Sequence, residues 1–189
     1  MSRQARAVYP GVPHHVTHRA NGDGELFLEA ADYASYLHLF QKKPAGLRIL
    51  AWCLMPNHVH WVVVPRAAAD LASTFRRAHG LYAQGFNGRH RRSGHLWQGR
   101  FFSAPLSSGH LRNALRYVER NPVRANLASH PESWPWSSAP AHLSGDDATG
   151  LLDMTFWKDL GGLDHWRQLL AMDEGERFRA ALRWSTNHN

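Results

Sequence analysis

The segment LRILAWCLM-PN-HVHWVVV, Leu47 to Val64, divides into two apolar runs around Pro56-Asn57. Two runs of this kind separated by a tight two-residue turn predict a β-hairpin. Successive side chains of a strand alternate between its faces. In the second run His58, His60, Val62 and Val64 therefore share one face, and Val59, Trp61 and Val63 share the other. Both faces are largely apolar, so this strand is expected to be central and covered at least partly on each side.

The flanking segments extend the pattern. Pro13 to Arg19 is short and alternating, with β-branched Val16 and Thr17, and Asn21-Gly22-Asp23-Gly24 is a turn cluster; a strand and a loop are predicted there. Ala30 to Lys43 carries Tyr33, Tyr36, Leu37 and Phe40 at helical spacing, with Pro44 and Gly46 as a stop. Asp70 is a candidate N-cap for a helix with Leu71, Phe75, Ala78, Tyr82 and Phe86 on one face. Residues 87–95 read as a basic loop, and a short strand is expected around Phe101-Phe102. Ser107 or Ser108 then caps a helix through Leu111, Leu115 and Val118, expected to end near Asn121 because Pro122 disfavours helical geometry before it. The order β-α-β-β-α-β-α predicts an α+β, ferredoxin-like fold, an antiparallel sheet with helices packed on one face. Residues 1–138 are expected to form this domain. Residues 139–189 are expected to form an extension: a loop from Ala139 to Gly150, then two or three short amphipathic helices carrying Phe156, Trp157, Trp166, Leu169, Phe178, Leu182 and Trp184.

The whole chain has 189 residues and a net charge of +7, enough length for one self-sufficient core. The charge is uneven. Residues 66–124 hold eleven Arg against Asp70 and Glu119, whereas residues 125–189 are net acidic. Such a concentration recruits polyanions, and the planar guanidinium fits phosphate. The single cysteine, Cys53, excludes an internal disulfide and any CxxC motif; its apolar surroundings read as those of a buried small hydrophobe. No apolar run approaches the roughly 18 residues of a membrane span and the start lacks a signal-peptide core. The expectation is a soluble, cytoplasmic protein with no membrane partner.

Two constellations carry chemistry. His58 and His60 lie on one strand face, about 6.6 Å apart along the chain, close enough for both imidazoles to meet one cation. The other reading is a structural pair; two buried adjacent histidines without partners would be costly, which favours the metal. On the helix after Ser108, Tyr117 and Asn121 are i, i+4 neighbours with His110 on the same side. That face offers a phenol able to act as nucleophile and an amide oxygen able to coordinate metal, although amphipathic packing alone would also place a tyrosine there. An ordinary tyrosine ionises near pH 10, so attack on phosphorus needs nearby cations or a metal. The signatures of P-loop enzymes, zincins and serine hydrolases are absent.

Five stretches resemble the REP-associated tyrosine transposases, small single-tyrosine relatives of the insertion-sequence transposases in the HUH nuclease class: His15–Arg19, Leu54–His60, Gly94–Phe101, Tyr117–Ala125 and Trp134–Ser138. They occur in that family's order across residues 15–138. The resemblance implies the ferredoxin-like HUH layout, Tyr117 as nucleophile, His58 and His60 as ligands of Mg or Mn, and Asn121 as third ligand. It further implies nicking and strand transfer on single-stranded or hairpin DNA through a 5′-phosphotyrosine; the sequence itself does not fix the oligomeric state, and a monomer is the working expectation. Arg76, Arg77, Arg89, Arg91, Arg92, Arg100, Arg112, Arg116, Arg120 and Arg124 are the candidate DNA contacts. Relatives often read Arg-Gly-Asn where this chain has Arg19-Ala20-Asn21, and residues 139–189 match no family motif. The rival readings are a nucleic-acid-binding protein without chemistry and a zinc-dependent hydrolase of a small anion.

Overall fold

The structure, a computed structural model, describes residues 7–41 and 46–172. In chain order the elements are β1 (His14–Arg19), α1 (Ala30–Gln41), β2 (Leu47–Met55), β3 (His58–Pro65), α2 (Ala68–Arg89), β4 (Phe102–Pro105), α3 (Ser108–Arg124), a 3-10 turn at Pro131–Ser133, and the short helices α4 (Ala139–Ser144), α5 (Met154–Asp159) and α6 (Gly162–Ala171). The four strands form one antiparallel sheet in the order β2-β3-β1-β4. The fold is α+β, with β3 interior as its two apolar faces require. Calls that rested on Lys43, Pro44, Phe178, Leu182 and Trp184 lie outside the described residues.

The expected packing of helices on one face is corrected. Val16, Val59, Trp61 and Val63 pack with Tyr36, Phe40, Phe75, Tyr82 and Phe86 of α1 and α2. Ala51, Cys53, Val62 and Val64 pack with Leu111, Leu115, Tyr117 and Val118 of α3 and with Trp166 and Leu170 of α6. An interior strand apolar on both sides has to be covered twice, because every exposed Val or Trp would forfeit its burial energy. Cys53 is fully buried and its thiol pKa is pushed up by burial and then by Glu119; it behaves as the inert core residue expected.

Three local expectations shift. Helix α2 starts one turn earlier, with Ala67 as N-cap, and Asp70 sits at N3 accepting from the Ala67 N–H at 2.6 Å. Gly46 makes room for that carboxylate: at φ 108° it has no side chain, where a Cβ would fall 2.3 Å from Asp70. Helix α3 runs on to Arg124 with Pro122 inside it. Proline removes the N–H that would reach Val118, and Asn121 Nδ2 takes over, donating to the carbonyls of Tyr117 and Val118 at 2.8 and 3.4 Å. Part of the expected 139–150 loop is helical, as α4.

The motif Trp134–Ser138 covers the outer edge of β2. Leu54 N–H donates to Trp136 O, Ser138 N–H donates to Trp52 O, and Trp134 Nε1–H donates to Leu54 O. An edge strand otherwise presents unpaired backbone groups to solvent. The same segment reaches α3 through Glu119. This buried carboxylate accepts from Ser138 Oγ, from His142 Nδ1 of α4 and from Trp166 Nε1 of α6, the last at 2.7 Å. Glu119 therefore locks residues 137–166 to the helix that carries Tyr117.

Candidate active site

Pairing of β1 with β3 sets Thr17 opposite His60 and Arg19 opposite His58, so His15, Thr17, Arg19, His58 and His60 share the sheet face covered by α3. His58 and His60 meet with ring centroids 4.7 Å apart, nearly perpendicular. Tyr117 descends from α3 onto the same cluster, its ring 5.6 Å from that of His60 and 6.1 Å from that of His15. Tyr117 and His60 are buried, at 4% and 3% exposure, and His58 is half-buried.

The hydrogen bonds fix the tautomer of His58 and leave one nitrogen of His60 without a partner. His58 Nδ1 lies 2.7 Å from Asn57 Oδ1, an acceptor only, so Nδ1 carries the proton and donates it. The His60 Nδ1 is 2.9 Å from His15 Nε2, while His60 Nε2 is buried with no hydrogen-bond partner. With the His60 proton on Nδ1, given to His15, both His58 and His60 present a bare Nε2 lone pair. Burial, then the charges of Arg19, Arg124 and His15, lowers the His58 pKa to about 4. Burial, then His58, His15 and the two arginines, holds His60 well below its ordinary value. Both rings are therefore neutral near pH 7, the state a metal ligand needs. Metal-binding histidines commonly donate their other nitrogen to a second group, as His58 does to Asn57 and as His60 would to His15 in that tautomer. The donor set fits a divalent cation, and its orphaned buried Nε2 is the observation that a bound ion would satisfy.

Asn121 stays on the Tyr117 side of α3. Its Nδ2 is turned back onto the helix carbonyls and its Oδ1 accepts from Arg124 at 3.4 Å. Arg124 also places its guanidinium 4.4 Å from the Tyr117 ring centroid, which puts a positive charge beside the phenol ring. His110 is exposed at the start of α3, near Ser107, and belongs to no part of this cluster.

The ten arginines fall on both sides of the sheet. Arg76, Arg77 and Arg89 lie on α2, Arg91, Arg92 and Arg100 on the segment after it, and Arg112, Arg116, Arg120 and Arg124 on α3. Arg76, Arg77, Arg91, Arg92, Arg100 and Arg112 are exposed. Arg116 donates to Met172 O, and Arg120 donates to Leu170 O and Met172 O; as placed, both guanidiniums engage the end of α6. Arg89 pairs with Asp32 at 2.8 Å.

Asp32 also has His90 at 3.0 Å and Glu29 nearby, a group within metal-ligating reach among the described residues. Its oxygens already accept from the Leu28 and Glu29 N–H groups and from Arg89. Burial would raise its pKa, but His90, the Leu28 N–H and Arg89 outweigh it and hold the carboxyl below the usual range. Asp32 is a cap that joins α1 to the end of α2.

Sequence reasoning quoted His15 and Arg19 within a motif without placing them at the site. Their signal was strand parity: His15, Thr17 and Arg19 alternate as His58 and His60 do, but only the register shows that the two sets share a face.

Residues 29–121 match the family model described as "Transposase IS200 like". Among solved structures the chain is similar to a REP-associated tyrosine transposase bound to a REP hairpin, at TM-score 0.63 and 19% identity, covering 82% of this chain and 90% of that one. It is also similar to a putative transposase from Deinococcus radiodurans R1, at TM-score 0.40 and 17% identity, covering 67% of this chain and 98% of that one. The first likeness bears on the fold. No curated protein matches the sequence.

Proposed function

The chain belongs to the IS200-like transposase family, whose members are tyrosine DNA endonucleases, and on that premise we propose that it nicks and transfers single-stranded DNA at Tyr117, with His58 and His60 holding a divalent ion, Mg or Mn. The observation that carries the reading is that His58, His60 and Tyr117 meet in one cluster, with His60 Nε2 buried and without a hydrogen-bond partner. Asn121 Oδ1, which here accepts from Arg124, would be a third ligand for such an ion.

The Tyr117 oxygen attacks the scissile phosphorus. An O–P bond to tyrosine forms, the bond to the 3′ oxygen breaks, and the phenolic proton ends on the departing 3′-OH. The 5′-phosphotyrosine conserves the bond energy, so the 3′-OH of a second strand can reverse the step. Arg124, beside the ring, meets the phosphate and offsets its charge. A divalent ion bound by His58 and His60 would draw charge from a non-bridging phosphate oxygen. Packing of Tyr117 under β1 and β3 holds its oxygen in place, which spares the orientational entropy of attack.

The substrate we infer is a DNA hairpin with an unpaired foot, by likeness to the relative solved with a REP hairpin. The exposed arginines of α2 and of the segment after it supply the positive field for it. Incubating the protein with a labelled hairpin, with and without Mn²⁺, tests the reading: a discrete metal-dependent nick supports it, and binding without any cleavage overturns it.

A further inference from the structure

The segment Gly94–Phe101, one of the five family-like stretches of the sequence, lies away from the Tyr117 cluster. It closes over α2 on the other face of the sheet and encloses a cavity of about 500 Å³. This volume lies within the range of about 300–1,000 Å³ usual for small-ligand sites. Buried His18, His79, Trp97 and Phe101 form its floor, and exposed Arg76 and Arg100 stand at its rim.

The floor is held firmly. Trp97 stacks on His18 at 4.5 Å and on His79 at 4.2 Å, and its Nε1–H donates to the His79 carbonyl. His79 Nε2 is 2.9 Å from the Tyr36 hydroxyl. The segment is tied to the end of β1, where Gln98 N–H donates to Arg19 O and Asn21 N–H donates to Leu96 O. His18 and Arg19 are consecutive in β1: His18 faces the cavity and Arg19 sits opposite His58. The cavity and the Tyr117 cluster thus lie back to back across the end of one strand.

An aromatic floor with cations only at the mouth suits an occupant that is flat and uncharged at its inner end and anionic at its outer end. A nucleotide of an unpaired strand has that form. Stacking on such surfaces tolerates any base, and the phosphate finds the arginines. We propose that this cavity binds one unpaired nucleobase of the DNA, with its phosphate against Arg76 and Arg100, while the strand rounds the end of β1 toward Tyr117. The inference rests on the single-stranded DNA reading above.

Gly80 provides the test. It lines the cavity on α2, and a Cβ there would meet nothing within 4 Å, so a side chain starts there in open space and Gly80→Leu adds bulk at the cavity. The probe is a hairpin with a ten-nucleotide single-stranded flank, each flank base replaced in turn by an abasic residue. Wild-type protein is expected to lose about 5- to 100-fold in affinity at one position or two adjacent ones. Gly80→Leu is expected to bind the intact probe as weakly as wild type binds the sensitive abasic one, with no further loss. A second measurement needs no variant: 2-aminopurine at the sensitive position should be quenched on binding. A flat abasic series, an unquenched fluorophore or a position-dependent loss that persists in Gly80→Leu would overturn the proposal. Tyr117→Phe should show the wild-type abasic pattern. Protein that nicks DNA yet shows a flat series refutes the cavity alone; a patterned series without nicking refutes the nuclease reading alone.

Discussion

His15 Nε2 lies 2.9 Å from His60 Nδ1, with the two rings stacked 5.1 Å apart between neighbouring strands. With its proton on Nδ1, His60 has His15 as partner, and its Nε2, which has no hydrogen bond, is then a bare lone pair. In that tautomer His15 is a positioning residue, holding the plane of a ring that would meet the metal.

The first expected outcome concerns that contact. Outer partners of metal-binding histidines typically contribute 10- to 100-fold in metal affinity. His15→Ala should therefore weaken Mn²⁺ binding by about that factor, by calorimetric titration, with His60 and Tyr117 still present. His58→Ala and His60→Ala should remove binding at this site altogether. Unchanged titrations in all three variants would return these histidines to a structural role.

Glu119 should behave differently from its neighbour Tyr117. It accepts from Ser138, His142 and Trp166 in a buried cluster. Glu119→Ala leaves those groups without their common partner and should cost about 3–5 kcal/mol, within the range for broken buried charge networks. Thermal unfolding should fall by on the order of 10 °C. A variant with wild-type melting would show that the C-terminal helices do not depend on this lock.

The pH dependence of stability follows from the buried histidine of α2. Burial, then the nearby His18, holds His79 well below its ordinary value of 6.5, so it is neutral when folded. The unfolded chain binds a proton there below about pH 6.5, so it binds more protons than the native state in that range. Stability is complete above 6.5 and is lost as pH falls toward the folded value. Melting temperature should decline from pH 7 to pH 5, and His79→Gln should make that decline shallower. An equal slope in the variant would exclude His79 as a contributor.

For DNA, Arg116 and Arg120 are engaged with the α6 carbonyls, so the proposed phosphate contacts are expected chiefly from the exposed arginines. If about six phosphates are neutralised, log K should fall with log salt at about −4, the single-strand slope being about −0.7 per phosphate. Arg91→Ala with Arg92→Ala should flatten it by about 1–1.5 and weaken hairpin and scrambled DNA alike. Filter binding across a salt series measures both; a wild-type slope shallower than about −1 would remove the electrostatic argument.

Strand parity made much of this legible in advance. The alternation from His58 to Val64 marked an interior strand, and the helical spacing of Leu71, Phe75, Ala78, Tyr82 and Phe86 identified the buried face of α2. What sequence left out depends on long-range register. The pairing of His15 with the His60 ring, 45 residues away, needs two strands aligned. The end of α3 was misplaced because the rule for proline does not anticipate a side chain, here Asn121, replacing the lost donor. The second helical layer depends on long-range packing in the same way: the helix of Leu111, Leu115 and Val118 is legible in sequence, but only its contact with Ala51, Cys53 and Val62 shows that it covers the face opposite α1 and α2.

The most direct test of the central claim is covalent capture. Wild-type protein, incubated with Mn²⁺ and an end-labelled hairpin carrying an unpaired foot, should give a protein–DNA adduct that survives denaturing electrophoresis. Tyr117→Phe, which deletes only the attacking oxygen from a buried ring, should give none while binding the hairpin within a few-fold of wild type. An adduct that persists in Tyr117→Phe would contradict the account.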